Sequence, residues 1–150
     1  MSKSNTLEIG VLKLVFQNIN LANIGDATGL QASSTAGNLY IALYTSNPTD
    51  ADSGTEANYT SYARVAVGRS ATNFSVSAGA TDADPSEASN AIVITFPTAT
   101  AGSNTITHFG IHTDASTGDL VYYGSLNSSI VISTGKTPKF NIGELIIKEQ

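Results

Sequence analysis

At 150 residues, 41% hydrophobic and 13% charged, the chain has material for one core and little to spare for a second. Its net charge of −5, with Lys3, Lys13, Arg64, Arg69, Lys136, Lys139 and Lys148 scattered, argues against nucleic acid as a partner, whose binding needs many neutralised phosphates, and against an anionic membrane. No cysteine is present, so disulfides and thiolate metal ligands are excluded and stability has to come from packing or association.

Residues 5–19 carry the one helical pattern. Asn5 is placed to cap it, with Glu8 three residues on as in a capping box, and Leu12, Val15, Phe16 and Ile19 form an apolar stripe widened by Leu7, Val11 and Leu14. A stripe that broad requires burial against something large, either the chain's own sheet or a neighbouring subunit. Leu12, Val15, Phe16 and Ile19 are accordingly the expected assembly interface. Gly10 lowers helix propensity and suits a close approach. Glu8 and Lys13 interrupt the apolar core that a secretory signal would need, so export by that route is not expected.

From Leu21 to Asn38 the composition turns to Asn, Gly, Ser, Thr and Ala. A segment that long reads as a connector or as a contact-forming loop. At Leu39 the period changes to two, and comparable strands are expected at Tyr62–Val67, Phe74–Val76, Ile92–Phe96, Thr105–Ile111, Leu120–Leu126, Ser129–Ile132 and Phe140–Ile147. Turn chemistry at Asp114–Asp119 and Ser133–Lys136 marks two connections. The expected fold is all-β, an antiparallel β-sandwich of jelly-roll-like type with an N-terminal helix. It divides into a helical arm and connector over residues 1–38 and a sandwich body over 39–150.

Asp50, Asp52 and Glu56 alternate around Gly54, the spacing of oxygen ligands for calcium, although the full twelve-residue loop is missing. Asp82, Asp84 and Glu87 form a sparser second group. Arg64 has a different expected role, a bidentate bridge to a carboxylate of the Asp50–Glu56 turn that locks this turn to the sheet. His108 and His112 share a strand face, but four strand positions separate them by about 13 Å, too far for one metal. No G-x-S-x-G elbow, Walker loop or dinucleotide fingerprint occurs, so no catalytic or cofactor-binding residue is nominated. The six tyrosines suit strand packing and interfaces better than a sugar-stacking surface.

Taken together, LYIALYTSNPTDADSGTEANYTSYARVAV (39–67), ITHFGIHTDASTGDLVYYGSL (106–126) and TPKFNIGELII (137–147) resemble a family of small tailed-bacteriophage virion proteins labelled tail fibre protein, with the pattern LYxALYT…PTDAxxGTE…YAR. The resemblance implies a non-enzymatic structural protein of the virion, assembled in the host cytoplasm and acting on other virion proteins, with a homo-oligomer expected. It implies a tail or fibre-associated subunit. The lack of any fibrous repeat suits a capsid decoration protein, and a receptor or glycan-binding module is the alternative of another class. Residues 21–38 and 70–89 depart from the family pattern.

Overall fold

The computed structural model describes residues 3–81 and 83–150. Within them lie one helix, α1 (Asn5–Gln17), and nine strands: β1 (Asn38–Tyr44), β2 (Val65–Gly68), β3 (Phe74–Ser77), β4 (Ser86–Asn90), β5 (Ile94–Thr95), β6 (Ser103–His112), β7 (Leu120–Ser133), β8 (Lys139–Phe140) and β9 (Ile146–Glu149). The fold is mostly β, with antiparallel pairing of β1 with β6, β6 with β7, β3 with β4, β4 with β9 and β5 with β8.

Two compact units share the chain. One comprises residues 1–37, 68–93 and 141–150, the other 38–67 and 94–140. Residues 1–37 cover most of the expected helical arm and connector. They belong to one unit with 68–93 and 141–150, because the helix buries its face within it.

In this first unit α1 covers the sheet β3-β4-β9. Its cap is Ser4 rather than Asn5: the Leu7 N–H donates to Ser4 Oγ at 3.4 Å, and Asn18 closes the helix in the left-handed region at φ 56°, two residues before the expected end. Leu12 and Phe16 are fully buried, and Phe16 meets Phe74 edge to face at 5.1 Å, an arrangement favoured by the ring quadrupoles. Glu8 makes no capping box. It turns inward, 3% exposed, where its Oε2 accepts from the Ser86 backbone N–H (3.2 Å) and hydroxyl (2.8 Å). That demand explains a strand of sequence SEASN, whose residues have little intrinsic preference for one.

The expected connector is instead a clasped loop. Asn18 and Ser33 exchange two hydrogen bonds of 2.9 Å, Asn20 accepts from the Ala32 N–H at 2.8 Å, and Leu21 and Leu30 pair through backbone bonds of 3.0 and 2.9 Å. Leu21 presses on Gly10, where a Cβ would lie 2.1 Å from Leu21 Cδ1; the close approach expected of that glycine is present. Arg69 ties the loop to the helix end, donating from Nε to the Val15 carbonyl at 2.6 Å and from Nη1 to the Ala36 carbonyl at 2.9 Å.

The second unit holds a four-stranded sheet, β2-β1-β6-β7, and a two-stranded ribbon, β5-β8. Leu43, Ile106 and Ile132 of the sheet and Phe140 of the ribbon line one small apolar cavity, so both contribute to one sandwich-like core. The two expected strands Leu120–Leu126 and Ser129–Ile132 are one continuous β7 with a register shift against β6 between Ile106 and His108. The expected Phe140–Ile147 strand is split instead, since Gly143 at φ 77° turns the chain between β8 and β9.

Candidate functional site

The densest polar constellation lies in the second unit, where the turn after β1 and the β6–β7 hairpin meet the sheet. Arg64 is its centre. The guanidinium donates from Nε and Nη2 to both oxygens of Glu56 (3.0 and 2.9 Å), and from Nη1 to the carbonyls of Asp114 (3.1 Å) and Thr117 (3.0 Å). This is the bidentate bridge expected from the sequence, although Arg64 precedes β2 rather than sitting inside a strand. Burial alone would lower the Arg64 pKa, but the hydrogen-bonded Glu56 carboxylate outweighs it and holds the group raised. Tyr62 completes the bridge by donating to Glu56 Oε1 at 2.7 Å and accepting from the Leu43 N–H at 3.0 Å. Burial pushes its phenol up.

A second cluster depends on Gly110. Tyr44 and His112 lie on the same face as Gly110, which pairs with Ala42, and a Cβ there would stand 2.8 Å from Tyr44 Cε2 and 3.2 Å from His112 Nε2. Glycine thus lets the Tyr44 ring lie along β6 and reach a fully buried His112. The Tyr44 hydroxyl is 2.8 Å from Asp52 Oδ1 and 2.8 Å from His112 Nε2. A carboxylate accepts only, so the phenol donates to Asp52 and His112 donates from Nε2, which leaves Nδ1 as a lone pair. That Nδ1 has no hydrogen-bond partner, and Asp52 Oδ2 is 3.9 Å away. Burial first, then the Arg64 charge, lowers the His112 pKa, so the imidazole is neutral at pH 7.

The three carboxylates of the calcium candidate each have protein partners. Asp50 accepts from Tyr123 at 2.7 Å, Asp52 from Tyr44 and Glu56 from Arg64 and Tyr62, so the three carboxylates pin the turn to three different places instead of converging. Among the described residues no group of three or more His, Asp or Glu is placed to hold a metal. Of the second acidic group, Asp82 lies outside the described residues, Asp84 accepts from Thr81, and Glu87 pairs with Lys148 at 2.9 Å. His108 bonds Thr107 at 2.8 Å through Nδ1, apart from His112.

The stripe expected to form an assembly interface is divided. Leu12 and Phe16 are 0% exposed inside the first unit and offer no surface to a partner, Val15 is half-buried, and Ile19 is exposed. Sequence reasoning missed Glu8–Ser86 and Tyr44–His112. Gly110 between two same-face histidines was the available signal for the latter.

Apart from the unpartnered His112 Nδ1, the polar groups of the constellation bond to one another and to the surrounding loops. His112 is inaccessible and the Arg64 side chain is 8% exposed; the contacts hold the Asp50–Glu56 turn and the β6–β7 hairpin to the sheet. Among the described residues no helix is long and apolar enough to cross a membrane. The model of one family, described as podophage GP4 fiber I protein gp80, matches residues 2–148. No curated protein matches the chain.

Proposed function

The chain belongs to the podophage GP4 fiber I protein family, and from that premise we propose that it is a non-catalytic tail or fibre-associated subunit that works by protein–protein assembly. Membership of this family makes it a phage fibre structural protein, associated with other virion proteins. The observation that carries the reading is the extent of the match, residues 2–148, which attaches the fibre role to nearly the entire chain rather than to a grafted piece. A non-catalytic role is supported by the way Arg64 and Glu56 bond each other and the surrounding loops while Asp52 is held by Tyr44 and His112 is buried. A chain without cysteine suits assembly in a reducing host cytoplasm, and a net charge of −5 disfavours nucleic acid and anionic membrane as partners. A homo-oligomer is part of this reading.

The test is to locate the subunit in intact particles by cryo-electron microscopy, with gold-labelled antibody as a control. Density and label confined to the tail or its fibres are the expected result. Label spread evenly over the capsid shell would instead make the chain a decoration protein.

A further inference from the structure

Charge in the second unit is sorted by end. β6 and β7, its two longest strands, pair from the 113–119 hairpin at one end to Ser103 and Ser133 at the other, about 30 Å away at the rise of a strand. Asp114 and Asp119 lie in the hairpin, and three more acids are drawn to the same half: Asp50 by Tyr123, which pairs with Gly110, Asp52 by Tyr44 beside His112, and Glu56 by Arg64, which also holds two hairpin carbonyls. Five carboxylates against one guanidinium leave this half at −4. The far end has the opposite sign. Residues 97–107 and 125–139 contain no carboxylate, and Lys136 and Lys139 are exposed there, which gives +2. The turn carrying Lys136 is fixed by the Gly135 N–H donating to the Ala99 carbonyl at 2.7 Å and the Ala99 N–H donating to the Lys136 carbonyl at 2.9 Å. Lys136 Nζ gives one of its three donors to the Val131 carbonyl at 3.1 Å, which keeps the charge at this end.

We propose that copies of this chain associate head to tail through these two ends, the acidic hairpin of one copy against the basic turn of the next. The inference rests on the reading of the chain as a fibre-associated subunit. The occupant is a second copy because the complement of each end is carried by the other end of the same unit. An acidic hairpin repels its own image, so contact between like ends is opposed and contact between unlike ends is attractive. Both surfaces are presented ready for contact: residues 113–119 and 133–137 are exposed throughout, and Arg64 braces the hairpin from behind through the Asp114 and Thr117 carbonyls. A contact between unlike surfaces is heterologous and leaves each added copy with one open end of each sign, so assembly continues past the dimer. The chain has no fibrous repeat of its own, and head-to-tail contact makes the subunit itself the repeat.

The experiment is sedimentation velocity of the full chain over a wide concentration range, at about 0.02 M and about 0.5 M salt. Species larger than a dimer are expected at low salt and are expected to be lost at high salt. Asp119→Lys and Lys136→Glu, both at exposed positions, are each expected to weaken association about tenfold while the circular dichroism spectrum stays unchanged. An equimolar mixture of the two variants is expected to recover it, since each then meets an end of opposite sign. A wild type that stays monomeric at low salt, a species that stops at the dimer, or association indifferent to salt and to both substitutions overturns the proposal; the presence of the subunit in purified fibres would leave the assembly reading standing in each of those cases.

Discussion

The two units fasten their loops by different means. In the first, Asn18, Asn20 and Asn90 work through neutral amides: Asn90 donates from Nδ2 to the carbonyls of Ile92 and Asn141, both at 2.7 Å, and accepts from the Leu145 N–H at 2.9 Å. Among the described residues Glu8 is the buried charge-bearing side chain there, and the Arg69 guanidinium also holds the loop through the Val15 and Ala36 carbonyls. In the second, the loops are fastened by Arg64–Glu56, Tyr62, Tyr44, Asp52 and His112. Amide clasps respond little to pH, while a charged and titratable clamp responds to it and fails badly when halved. Between pH 5 and 7.5 it is His112 of the second set whose lowered pKa places it in the titrating range, whereas Asp26 in the first unit's loop, held low by its bonds from Thr28 and Gly29, titrates in stronger acid.

The largest effects come from halving each core. Arg64→Met leaves Glu56 partly buried without its bidentate partner and is expected to cost about 3–5 kcal/mol; Phe16→Ala, which removes a ring packed on Phe74, is expected to cost a similar ~3–5 kcal/mol. Urea unfolding followed by circular dichroism measures both. A cost below about 1 kcal/mol for Arg64→Met would mean that the clamp is ordinary surface electrostatics.

A second contrast uses one substitution in both units. Gly110→Ala drives a methyl into the Tyr44 ring, itself held at its hydroxyl by two partners, and is expected to cost about 1–3 kcal/mol. Gly10→Ala meets the branched end of the buried Leu21, its Cδ1, Cγ and Cδ2, so the roughly 1 kcal/mol gained in helix propensity offsets part of that clash and a smaller net loss than at Gly110 is expected. Equal losses at both glycines would show that Tyr44 is not rigidly placed.

Acid separates the units further. Because the folded pKa of His112 lies below its ordinary 6.5, the unfolded chain takes up the proton first as pH falls. Stability from the neutral imidazole is complete above pH 6.5 and is lost as pH falls through 6.5 toward the folded pKa. The charged groups around it are Arg64, Asp52 and Glu56. Melting temperature is expected to fall between pH 7.5 and 5 in the wild type, and to fall less in His112→Gln, which keeps a donor for Tyr44 and does not titrate. The smallest effect is that of chelation: with Asp50, Asp52 and Glu56 held by separate partners, EDTA is expected to leave the melting temperature unchanged, and a drop reversed by calcium would reinstate the turn as a binding site.

What could be read from the sequence followed from local rules. The helix, most strands and the Arg64 bridge depend on periodicity, propensity or a charge beside a short acidic turn, and these are visible along the chain. β4 was not legible because Ser86 and Asn90 are buried by long-range partners, Glu8 and Leu145, that no window around SEASN contains. Glu8 itself matched a capping box by spacing, yet a buried serine pair outweighed that local option. His108 and His112 looked equivalent on their strand, and only the folded position of Tyr44 distinguishes them.

The central claim, that the charged constellation is a structural clamp whose two halves depend on each other, is tested most directly by a double-mutant cycle on Arg64→Met and Glu56→Met. Each single substitution is expected to be strongly destabilising and the double variant much less so than their sum, giving a coupling of about 2 kcal/mol or more. Additive losses, with coupling near zero, would contradict the account.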